Sequence, residues 1–185
     1  MKILVIHPKD NTTDFLIPIY MNLKSFPDFD DVTIIRGGSK EEVDEQIQLH
    51  DRIMMMGHGS PQGLFAVGQF GMQGMIIGHS TVPLLENKEC IFIWCNADKF
   101  VERYNLKGLY SGMFISEVSE AYGCGLPGTP QEVVDESNDF FAAEFGLVSD
   151  KPLTEIYNTV KYNYNILAEN NPIAEYNSER LYLNS

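Results

Sequence analysis

Four short, nearly continuous apolar runs constrain this chain more than any other feature: Lys2 to His7 (KILVIH), Val32 to Arg36 (VTIIR), Arg52 to Met56 (RIMMM) and Cys90 to Cys95 (CIFIWC). None shows the apolar/polar alternation of a strand with one wet face. Runs of this length bounded by turn formers suit strands buried on both faces of a parallel sheet. The stretches between them read as helices, Asp14 to Lys24 and then Ser39 to Leu49, where Ser39 caps and Glu42 follows three residues on. Strand, helix, strand, helix, strand implies right-handed βαβ crossovers and an α/β fold.

Beyond the third run the pattern changes. Gly57 to Gly78 is Gly-rich and half apolar, and reads as a loop with a small hairpin around Leu64–Val67 and Met75–Ile77. A fifth strand is expected over Gly108–Ser116, followed by a surface loop over Glu117–Gly128, where Gly123, Gly125, Pro127 and Gly128 cluster. Thr129 is expected to cap a helix that starts at Pro130 and runs to about Phe145, with Phe140, Phe141 and Phe145 as its apolar stripe. A second helix covers Pro152–Ala168, and the Asn-rich tail from Asn170 to Ser185 is expected to wrap the surface or fray. No repeat or linker divides the chain, so residues 1–185 are expected to form a single domain.

Thirteen Lys plus Arg against 26 Asp plus Glu leave a net charge of −13, a field that repels phosphate backbones and anionic membranes. Neither nucleic acid nor a membrane is an expected partner. The N-terminal run is too short for a signal peptide, and no apolar stretch approaches the roughly 20 residues of a membrane span. Cys90, Cys95 and Cys124 cannot all pair and include no C-x-x-C, which fits reduced thiols in the cytoplasm.

In an open parallel sheet, functional groups gather beyond the carboxyl ends of the strands. The run ending at Met56 enters Gly57-His58-Gly59-Ser60, which delivers an imidazole between two glycines. The run ending at Trp94 delivers Cys95, followed by Asn96-Ala97-Asp98. If the two strands are neighbours, His58 is a general base and Cys95 a nucleophile. The backbone N–H groups of Gly59 and Cys95 would then face the same crevice as an oxyanion hole, worth on the order of 3 kcal/mol per donor.

An apolar strand into His-Gly, followed within several tens of residues by an apolar strand into Cys, resembles the caspase-like cysteine peptidases. The stretch from Gly57 to Ser60, the stretch from Ile93 to Phe100 and the segment from Leu109 to Ser116 are most similar to the gingipain and separase-associated branch. The resemblance spans about Met1 to Phe145. It implies a flavodoxin-like wrapped, mostly parallel sheet with helices on both faces, His58 and Cys95 as the catalytic pair, and endopeptidase activity on a peptide or protein substrate. It also implies substrate contacts after the first strand, at Lys9 or Asp10, and near the end of the fifth, at Ser116, Glu117 or Glu120. Asp10 or Glu117 would suit a basic P1 side chain, and Lys9 an acidic one. The chain has little beyond the minimal sheet, so it fits a minimal, degenerate or partner-dependent member.

Other chemistries find less support. His7, His50, His58 and His79 lack metal-ligand spacing, and no Gly-x-Ser-x-Gly elbow, P-loop or dinucleotide fingerprint is present, so no metal or cofactor is expected. Cys124, between Gly123 and Gly125, is either an ordinary loop cysteine or a second reactive thiol. Two alternatives stay open: a non-catalytic domain of the same fold that binds a peptide or partner protein, and a thiol acyltransferase or amidase. A homo-oligomer is equally compatible with the sequence.

Overall fold

The structure, a computed structural model, describes residues 1–23, 31–70 and 74–184. Its centre is a six-stranded sheet of β1 (Lys2–Ile6), β2 (Asp31–Ile35), β3 (Arg52–Met56), β4 (Glu89–Ile93), β5 (Gly108–Ser111) and β6 (Leu181–Asn184). The strands lie in the order β6-β5-β4-β3-β1-β2, and all neighbours pair in parallel except β6, which runs antiparallel along β5.

Successive side chains of a strand point to opposite faces, and each continuous apolar run therefore feeds two cores at once. On one face Ile3, Val5, Met54, Met56, Ile91 and Ile93 pack with Phe141, Phe145, Ile156, Val160 and Tyr164 from the helices Gln131–Val148 and Leu153–Ala168. On the other, Leu4, Ile6, Ile53, Met55, Phe92 and Trp94 pack with Val43 and Ile47 of Lys40–Leu49 and with Phe100 and Val101 of Ala97–Tyr104. The chain is thus α/β with helices on both faces of a mostly parallel sheet. Among the described residues no helix is long and apolar enough to cross a membrane.

Five local expectations change. The helix expected over Asp14–Lys24 is a 3-10 helix, Asn11–Leu16, and a single α-turn, Pro18–Met21, because Pro18 has no N–H to continue an earlier helix; Lys24 lies outside the described residues. The fifth strand stops at Ser111 rather than Ser116, since the Ile115 N–H and C=O bond to the Asn177 side chain (2.7 and 2.8 Å) instead of a neighbouring strand. The expected surface loop contains the helix Val118–Gly123, whose N-terminal amide at Glu117 donates to Glu120. Thr129 donates its hydroxyl back to Leu126 O (2.9 Å) rather than capping, and Pro130 is the cap of Gln131–Val148. The tail neither frays nor merely wraps: it forms the helix Pro172–Ser178, capped by Asn171, and then β6; Ser185 lies outside the described residues. The expected hairpin is a small antiparallel sheet of Gly59–Ser60, Gly63–Phe65 and Met75–Ile77.

His7, just past β1, is fully buried between Tyr20 Oη (2.9 Å from Nδ1) and Thr13 Oγ1 (3.1 Å from Nε2). Burial, aided by the nearby Arg36 guanidinium, lowers its pKa to about 4. The unfolded chain therefore binds a proton here that the native state refuses, so stability is lost as pH falls from 6.5 towards 4. Denaturant titrations across that window are expected to show wild type losing up to about 3 kcal/mol more than His7→Gln.

Candidate functional site

Two strand ends build the site, and the parallel ladder sets their alignment. Met56 of β3 is the register partner of Ile93 of β4, and the Gly57 N–H extends the ladder by donating to Ile93 O (3.0 Å). His58 and Cys95 each stand two residues beyond that pair. Gly57 then turns the chain with φ of +138°, a conformation that a side chain would strain. His58 O accepts from the Phe65 N–H (2.8 Å), which anchors the imidazole's backbone to the small antiparallel sheet.

The glycine after His58 has a packing reason. A Cβ on Gly59 would collide with Cδ1 of Trp94, whose indole lies against this turn and donates Nε1–H to Ser60 O (3.1 Å). Trp94, the residue before Cys95, thereby ties the two strand ends together. Asn96 follows in the left-handed region (φ 64°, ψ 31°), donates its N–H to Gly112 O (3.0 Å) and leads into the helix Ala97–Tyr104. Asn tolerates this conformation better than most residues, so the thiol is held on a sharp strand-to-helix turn.

His58 and Cys95 line one cavity with Thr13, Phe15, Phe114 and Ser116; its volume of about 20 Å³ suits a single water. No hydrogen bond joins the two side chains among the described residues. Instead His58 Nε2 lies 2.6 Å from Thr12 Oγ1 and 3.8 Å from the Asp10 carboxylate. The thiol of Cys95 donates towards Phe114 O (3.3 Å) and Glu120 Oε1 (3.7 Å). Burial, and then the Glu120 charge, push its pKa up to about 12, so the thiol rests protonated.

Of the two backbone N–H groups read from the sequence as oxyanion donors, Cys95 lines the cavity and Gly59 does not. The bond from Phe65 N–H to His58 O flanks the Gly59–Leu64 pair, which makes it a pair without mutual hydrogen bonds and turns the Gly59 N–H away from Gly63–Phe65. The Cys95 N–H has no backbone partner among the described residues.

Beside this cavity, and sharing Phe15 and Ser116 with it, lies an open groove of about 490 Å³. Glu117 and Asp135 contribute its carboxylates, Asn138 and Gln131 add amides, and neither Lys nor Arg lines it. Ser116 and Glu117, expected as substrate contacts, line this groove. Asp10 lines neither space, because its carboxylate accepts the Thr12 N–H (2.9 Å) and hydroxyl (2.6 Å) and caps the 3-10 helix. Those same bonds lower its pKa. Lys9 is exposed and lines neither space.

Two contributors escaped the sequence reading. Thr12 had a legible signal in Asp10-Asn11-Thr12, where an Asp commonly bonds the backbone two residues on. The Phe114 carbonyl, a backbone group, had none. Glu120 emerges as the hub of its loop, since its Oε2 accepts from Ser116 N (2.8 Å), Ser116 Oγ (3.1 Å) and Glu117 N (3.2 Å) while Oε1 meets the thiol.

Among the described residues no cluster of three or more His, Cys, Asp or Glu is arranged to hold a metal ion. The chain matches no known family model, no curated protein and no solved structure. The site must be judged on its own chemistry.

Removing the Glu120 charge lowers the thiol pKa and raises the thiolate fraction at any pH below it. Glu120→Gln is expected to speed alkylation of Cys95 by about tenfold, the equivalent of one pKa unit, as read by intact-mass kinetics.

Proposed function

We propose that the protein is a cysteine endopeptidase of the caspase-like type, acting in a reducing compartment such as the cytoplasm, where its three free cysteines stay reduced. The observation that carries this reading is the register of β3 on β4, which brings His58 and Cys95 to equivalent positions just past the ends of adjacent strands and onto one cavity. The parallel sheet with helices on both faces is also the general architecture that the family resemblance implies.

In the proposed reaction His58 takes the proton from Sγ as the thiolate attacks the scissile carbonyl carbon. The carbonyl electron pair moves onto oxygen, where the N–H groups of Gly59 and Cys95 stabilise it. Collapse of the tetrahedral adduct breaks the C–N bond, His58 returns its proton to the leaving amine, and a thioacyl-enzyme remains. Water, deprotonated by His58, then adds to the acyl carbon and expels the thiolate. The groove beside Ser116 supplies the specificity: with Glu117 and Asp135 and no cation in its lining, it favours a basic side chain. For the chemistry to start, Sγ leaves Phe114 O and Glu120 and rotates towards His58.

One observation favours a second reading, a non-catalytic domain that binds a peptide in the same groove. The thiol is neutral and bonded to Phe114 and Glu120 rather than to His58. Turnover separates the two. A fluorogenic peptide library is expected to be cleaved after Arg or Lys by wild type, not at all by Cys95→Ala, and about a thousandfold more slowly by His58→Ala. Peptide binding that survives in both variants with no cleavage by wild type would select the binding domain.

A further inference from the structure

His58 has a second-row partner arrangement that the catalytic pair alone does not explain. The Thr12 hydroxyl lies 2.6 Å from Asp10 Oδ1 and 2.6 Å from His58 Nε2, so it stands between a carboxylate and an imidazole. It owns one proton. The Asp10 carboxylate, which the Thr12 N–H also meets at 2.9 Å, can only accept. The hydroxyl proton therefore goes to Asp10, and the Thr12 oxygen turns a lone pair towards His58. An Nε2 lone pair there would face another lone pair, so Nε2 must carry a proton and donate it.

We propose that Thr12, backed by the Asp10 carboxylate, fixes His58 as the Nε2–H tautomer and leaves Nδ1 as the base for Cys95, an assignment whose catalytic meaning rests on the peptidase reading. Among the described residues Nδ1 takes no hydrogen bond, so it is the nitrogen open to a proton. When Nδ1 gains the thiol proton, the imidazolium charge develops 3.8 Å from the Asp10 carboxylate, which stabilises it through the same hydroxyl. Thr12 and Asp10 are positioning residues, as neither touches the reacting atoms. The rigidity of the arrangement comes from the backbone: the Asp10 carbonyl accepts both the N–H and the hydroxyl of Thr13 (3.2 Å each), and Thr13 Oγ1 in turn meets the buried His7 (3.1 Å).

The test reads the tautomer directly, without turnover. Protein labelled with nitrogen-15 in its histidine rings is examined by two-bond proton–nitrogen correlation at a pH where the rings are neutral, with His58 assigned through His58→Gln. Wild type is expected to give the Nε2–H pattern, Thr12→Val a mixture of both tautomers, and Thr12→Ser the wild-type pattern again. Cys95 alkylation is expected to slow by about tenfold in Thr12→Val and to recover in Thr12→Ser, in line with losses on removing an outer partner of a functional histidine. A wild-type ring protonated on Nδ1, or one unchanged by Thr12→Val, overturns the proposal. A ring that follows Thr12 while Cys95 labels no faster than Cys124 upholds the relay and removes the peptidase reading instead.

Discussion

The parallel pairing of β3 with β4 is the constraint on which the site depends. Both strands are buried on both faces, so a shift of one residue would exchange the side chains that face each core and expose neither set to water as an escape. The register is therefore set by packing throughout their length, and the residues just past it inherit that alignment. His58 and Cys95 need no loop to find one another. Trp94 reinforces the arrangement from within, since its ring fills the place that a side chain on Gly59 would take.

The other wall of the site comes from far along the chain. The segment after β5 carries Phe114 and Ser116 to the cavity, and it is held there by Asn177 rather than by a strand partner. The Asn177 amide bonds both backbone groups of Ile115 and reaches Tyr164 Oη at 3.2 Å, so the C-terminal helix is braced against the cavity wall. A buried bidentate amide of this kind leaves two unsatisfied backbone groups if it is lost, which makes the brace hard to dispense with. The site consequently joins the turn after β1, the ends of β3 and β4, and the C-terminal helix into one unit.

Much of this was legible in the residues themselves. The four continuous apolar runs became β1 to β4, because burial on both faces removes the ambiguity that alternation would leave. His58 and Cys95 followed from where those runs stop. The segment from Gly112 to Ser116 misled for the same reason: it is as apolar as a strand, yet the backbone of Ile115 is satisfied by the Asn177 side chain, and composition cannot report that. Val118–Gly123 hid among glycines and prolines that dominate its flanks, although Glu120 three residues after Glu117 is a helix-start signal. Leu181–Asn184 is too short to stand out from a polar tail. Asp10 was read as a substrate contact, but its carboxylate caps the 3-10 helix instead, since whether it faces a groove or a hydroxyl depends on a turn that tertiary packing decides.

The most direct measurement is intact-mass labelling of the native protein with an electrophilic thiol probe near neutral pH, comparing wild type with His58→Ala. Cys90 is buried, and Cys124 is partly buried at the end of the helix Val118–Gly123, so each serves as an internal reference. Cys95 labelling well ahead of both, and losing that lead when His58 is removed, is the expected result. Three thiols that react without regard to His58 would contradict a working Cys95–His58 pair.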